Sequence, residues 1–172
     1  MSLQPWGLKL VGSTMGPIYP SSNVGLPDAL DRALLELQAQ VPLVGAALER
    51  FELLRPWATA WRDFVSAAIG NVEDVRALKE PVATKELPKF NSLVLAKQMR
   101  VAPLITLEAG REILEKLRPL SESLNDACAA HSTNVPLLMA LGYVICAIVE
   151  LDMCIVAAYP ELEERNAGPL LP

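Results

Sequence analysis

From residue 27 onward, the apolar positions recur at helical spacing. Leu30, Leu34, Leu37 and Val41 step by four, three and four, which lines one face of a helix. Pro27 suits a first helical position, and Asp28 and Asp31 complement the positive end of the helix dipole. Pro42 predicts either a kink or the start of another helix, and Leu48, Phe51 and Leu54 carry the period on to Arg55. Trp57, Trp61, Phe64, Val65 and Ala68 predict a third helix from near Pro56, closed at Gly70, the residue type that most often follows a helix C-terminus. Asn71 with Asp74 then reads as the cap of a short helix running to Glu80.

Pro81 and Pro88 bracket a loop, and Phe90 to Val101 reads as the next helix, stopped by Pro103. Thr106 caps a further one, with Ile113, Leu114, Leu117, Leu120 and Leu124 apolar and Glu112 and Lys116 paired one turn apart. Pro119 inside this pattern predicts a kink or a break. The last element runs from Pro136 to Tyr159 behind Asn134 as cap. It has no charge between Val135 and Val149, the mark of a central helix enclosed by others or of a membrane span. The uncharged stretch is shorter than the roughly 20 residues a span needs, and Glu150 and Asp152 follow at once, so a central helix is expected and no transmembrane segment.

Ahead of this pattern, Met1 to Leu26 is broken by Pro5, Gly7, Gly12, Gly16, Pro17, Pro20 and Gly25. It reads as an extended arm anchored by Trp6, Ile18 and Tyr19, able to dock on its own domain or on a neighbour. The only strand-like alternation, Leu8 to Val11, is too short to found a sheet. The expected architecture is all-α. It comprises an arm at 1–26, a bundle of about six helices at 27–160 and a C-terminal tail at 161–172.

Composition narrows the function classes. A chain of 172 residues, 52% hydrophobic, can bury a sizeable core. Its net charge of -5 and pI near 4.9 argue against a general nucleic-acid-binding surface, which needs Lys and Arg in excess. Cys128, Cys146 and Cys154 are an odd set, too few for a disulfide framework, and fit reduced thiols in an intracellular, cytoplasmic setting. No secretory signal is evident, because Gly, Pro and Ser interrupt each apolar run of the arm.

The chemistry of catalysis is thin. There is no nucleophile elbow, phosphate-binding loop, dinucleotide fingerprint or zinc-protease motif. The single histidine, His131, excludes a two-histidine metal site within one chain. Cys146 and Cys154 lie two helical turns apart, about 12 Å, too far for one tetrahedral zinc. Glu108, Glu112 and Glu115 are balanced by Arg111, Lys116 and Arg118, and read as a solvated face. No catalytic residue, metal or cofactor is expected.

The stretch from Trp61 through Ile69, Gly70, Asn71 and Val72 to Lys79, then Phe90, resembles the head-group helix of the glycolipid-transfer-protein family. That family is an all-α lipid-binding fold that uses an Asp, an Asn and a Lys on that helix, with a Trp and a His elsewhere. Asn71 alone carries over. Ala67 and Asp74 stand where the Asp and Lys would fall, and no His-x-Trp occurs, so the resemblance is confined to a small part of the chain and lacks the family's chemistry.

Two functions are therefore expected in order. The first is a non-catalytic interaction module, a scaffold, adaptor or complex subunit that binds a protein partner or itself, with Trp6, Tyr19 and Glu150 as contact residues. The alternative is a binder of a lipid or apolar small molecule in a pocket lined by Trp57, Trp61 and Phe64. Glu150 shares a stripe with Cys146 and Cys154 at steps of four, among apolar neighbours. It is expected either to hold a buried ion pair, with Arg62, Arg100 or Arg111, or to face a partner, with Asp152 nearer the surface.

Overall fold

The computed structural model describes residues 28–82 and 86–163, and these are all-helical. The whole of the expected arm, with Trp6, Ile18 and Tyr19, lies outside the described residues, as does most of the expected tail. Five α-helices follow in order: α1 Ala29–Glu49, α2 Arg55–Arg76, α3 Ser92–Val101, α4 Leu107–Ala130 and α5 Val135–Ala158, with a short 3₁₀ turn at Pro160–Leu162. Helix α1 packs against α2 and α4, and α5 packs against α2, α3 and α4. The result is a four-cornered bundle with α1 and α5 at opposite corners and α3 laid on α5.

Side chains that accept from backbone N–H groups two or three positions into the helix set several boundaries. Asp28 accepts from Asp31, Asn91 from Val94, Thr106 from Ala109 and Asn134 from Leu137. Each satisfies a donor that the first turn leaves open. Asp28 is thus the cap of α1 rather than a residue within it, and Pro27 lies outside the described residues. The bond from Asp31 is the main reason the Asp28 carboxyl titrates below its usual range.

Three sequence expectations are corrected. First, α2 does not end at Gly70 but continues to Arg76, so the described residues hold five helices rather than about six. Trp61, Val65, Ala68 and Val72 keep a continuous three-to-four spacing through Gly70 and are all buried. That burial outweighs the roughly 1 kcal/mol that a glycine costs inside a helix.

Second, of the kink or break expected at each proline the break is excluded, since neither Pro42 nor Pro119 ends its helix. Both are exposed, and so are Gln38 and Glu115, whose carbonyls lose a helical donor and can turn to water.

Third, α5 is enclosed on three sides only. Leu137, Leu141, Val144, Ile148, Leu151 and Ile155 are buried, while Val135, Met139, Cys146, Val149 and Met153 are exposed. By length and mean hydropathy (2.1) α5 passes as a membrane span, with 44% of its most apolar window buried in the protein.

Two contacts fix the position of α5. Trp61, fully buried on α2, donates from Nε1 to the carbonyl of Ala147 at 3.0 Å. Gly110 on α4 lets the helices approach closely, since a Cβ there would stand 3.0 Å from Ile155 Cγ2 and 3.3 Å from Leu162 Cδ1. Tyr159 closes this end by donating from its hydroxyl to the Ile105 carbonyl at 2.7 Å.

Candidate functional site

The three aromatics expected to line a pocket are packing residues. Trp61 is sealed in the core. Trp57 and Phe64 each stand edge-on to Phe90, with ring centroids 5.5 and 5.1 Å apart. This geometry suits the ring quadrupoles and fastens the segment before α3 onto α2. The surface grooves described below are lined by other residues.

Glu150 makes no ion pair among the described residues. Arg62 pairs instead with Glu49 at 2.8 Å, and the α4–α5 ion pair belongs to Asp152, which takes Arg118 Nε at 3.0 Å. Glu150 Oε1 accepts from the Ser92 hydroxyl at 2.9 Å, and the Ser92 carbonyl accepts from Cys154 Sγ at 3.3 Å. The first residue of α3 therefore satisfies two members of the stripe. Glu150 is half-buried, and a neutral donor suffices where water still reaches the carboxylate. Burial, and then the neighbouring Glu150 charge, push the Cys154 thiol from its ordinary 9.0 up to about 12, so it is an inert core thiol. Burial also raises Cys128. Cys146 is the exposed thiol.

That thiol lies midway along the open face of α5. Val135, Met139, Cys146, Val149 and Met153 are separated by four, seven, three and four residues, so they form one ribbon. Over 18 residues it is about 27 Å long. Val135 and Met139 are 61% and 62% exposed, and half of Met153 meets water. Gly142, between Met139 and Cys146, faces open space. The only carboxylate on this edge is Glu150, already engaged by Ser92.

A groove flanks each end of the ribbon. Beside Val149 and Met153, an open groove of about 820 Å³ has Arg100, Glu122 and Asp152 in its walls. Beside Met139, a more apolar groove of about 630 Å³ is lined by Val75, Leu78, Val82, Met139 and Tyr143, with Asn71 at its base.

Asn71 is the residue that builds the second groove. It is almost fully buried, accepts from the Val82 N–H at 3.0 Å and donates to the Val82 carbonyl at 3.3 Å. This clamp holds the segment after α2 as a wall. With both amide groups spent on Val82, Asn71 is neither a helix cap nor a free recognition group. Upstream of that wall, α2 closes with Lys79 N–H on the Asp74 carbonyl and Leu78 N–H on the Val75 carbonyl. This closure puts its fifth residue, Leu78, in the left-handed region at φ 58°. Glycine is the usual occupant there; a leucine costs about 1 kcal/mol or more.

Among the described residues no three His, Cys, Asp or Glu side chains gather as a metal site. His131 is the C-cap of α4 and bonds through its backbone N–H to the Ala127 and Cys128 carbonyls. Ser92, Leu78 and Arg118 were not foreseen as site residues, and only Asn71 left a signal, a polar side chain in the buried stripe of α2. Against family models, curated proteins and solved structures alike, the chain finds no match.

Proposed function

We propose that this protein is a non-catalytic helical interaction module whose contact surface is the open face of α5. The observation that carries the reading is the exposed ribbon Val135, Met139, Cys146, Val149 and Met153 on the most apolar helix among the described residues. Contiguous apolar surface of this kind on a folded domain marks an interaction site. A partner helix laid along it would meet side chains at the spacing that helix-in-groove recognition uses. The charged walls beside Val149 and Met153 supply a polar rim.

Light scattering combined with native mass spectrometry tests this. The wild-type chain is expected to carry a bound protein chain, its own or another. The double variant Val149→Glu, Met153→Glu should return to the single-chain mass with unchanged helical circular dichroism. A wild-type chain that stays a single bare chain at every concentration and retains no partner from its source refutes the reading.

A further inference from the structure

We propose that the groove at the Asn71 end of α5 is the seat of this chain's own N-terminal segment, with Ile18 and Tyr19 entering between Leu78, Val82 and Met139. Four observations converge. The described chain begins at Asp28, and that residue sits at the end of the bundle where the groove opens. It lies within electrostatic reach of Arg76 and His131, and Arg76 is tied to Asp31 of the first turn at 2.7 Å. Val75, adjoining Arg76, and Asn134 and Pro136, just beyond His131, line the groove. Length is sufficient: Asp28 lies nine positions after Tyr19, an extended reach of up to about 30 Å.

Chemistry matches as well. The 27 residues before Asp28 contain one charged side chain, Lys9, and the Pro17-Ile18-Tyr19-Pro20 stretch is wholly uncharged. Prolines on both sides of the two large side chains lower the cost of ordering them. Finally, the lip of the groove is costly as it stands. Leu78 is 94% exposed while held in a backbone region that favours glycine. A leucine there gains nothing from the described contacts and gains apolar contact if a segment lies over it.

This goes beyond the partner reading and is decided separately. It takes Met139 out of the ribbon offered to a partner and leaves Cys146, Val149 and Met153 as that surface, so the two readings are tested at different residues.

The test uses the full chain with the photo-reactive p-benzoylphenylalanine in place of Tyr19. Irradiation is expected to give an internal cross-link to Met139 or to residues 78–82, at the mass of one chain, with a yield independent of dilution. Met139→Glu, at an exposed position the fold does not depend on, should cut that yield severalfold. In a second measurement the full-chain variant Ile18→Asp, Tyr19→Asp should bind the apolar dye anilinonaphthalene sulfonate severalfold more strongly than wild type. Met139→Glu should remove that gain. Cross-links that map elsewhere, a product at the mass of two chains, a co-purified apolar molecule filling the groove, or dye binding indifferent to the aspartates would each overturn the proposal.

Discussion

Removing the Asn71 amide should loosen one wall of the apolar groove while leaving the bundle intact. In Asn71→Ala the Val82 N–H and carbonyl lose partners at 3.0 and 3.3 Å. Each bond is worth about 1 kcal/mol net. Val82 is 46% exposed, so water replaces part of the loss. Alanine also returns about 0.5 kcal/mol of helix propensity within α2. The balance is a destabilisation of about 1 kcal/mol, read as a shift in the urea midpoint, with loss of hydrogen-exchange protection at the Val82 amide.

Asn71→Asp separates the two bonds. Its carboxylate still accepts from the Val82 N–H but faces the Val82 carbonyl with a charge instead of a donor. Ionisation is disfavoured in the fold, so the folded pKa of that aspartate is raised above about 3.9. Stability is then present below the unfolded pKa and lost as pH rises through the folded one. The Asp variant should approach wild type near about pH 4 and fall below the Ala variant near about pH 7. Equal stabilities of the two variants across that range, or a Val82 amide unprotected in the wild type, would refute the clamp.

Thiol labelling should modify Cys146 first, Cys128 slowly and Cys154 only on unfolding. Because the Cys154 pKa is raised from 9.0 to about 12, stability should be present below pH 9.0 and decline as pH climbs toward 12, by an amount on the order of 4 kcal/mol. Cys154→Ala should flatten that decline in urea midpoints. Gly110→Ala should destabilise by about 1–3 kcal/mol through the contacts with Ile155 and Leu162. Gly70→Ala, whose Cβ meets nothing within 4 Å, should stabilise by about 0.5–1 kcal/mol; thermal melts compare them. Glu150→Ala, losing only the Ser92 bond, should cost about 1 kcal/mol, close to Asp152→Ala. A cost of about 3–5 kcal/mol at Glu150 in chemical denaturation would restore the buried ion pair.

Periodicity and cap chemistry made most of the fold legible. Thr106 and Asn134 stand at the expected boundaries because short polar side chains there satisfy donors that no other local group reaches, and Asn91, expected inside a helix from Phe90, caps α3 in the same way. Punctuation by Gly and Pro misled where burial was the stronger term. Gly70 resembled a stop, yet stopping there would have exposed Val72 beside a buried Ala68. Pro42 and Pro119 left a break open beside a kink, but each sits on the wet side of a helix that runs on. The site was less legible for a different reason. Composition shows that α5 is apolar, but not which of its sides the other helices leave open. The partner of Glu150 comes from Ser92, 58 residues away, on a helix whose placement no local pattern encodes.

The pairing order of the helices also bears on the birth of the chain. α1 finds its partners in α2 and α4, but α2, α3 and α4 all await α5, which leaves the ribosome after them. At about 5–20 residues per second, the α5-facing sides of α2 and α3 remain bare for several seconds while some sixty to eighty further residues emerge. Trp61 has no carbonyl to bond until Ala147 arrives. A nascent chain arrested in the turn after α4 would keep the α1–α4 contact and still expose Trp61 and Met99, the kind of surface that chaperones and proteases recognise. Premature termination anywhere before the end of α5 should therefore yield a clearance substrate rather than a smaller working domain.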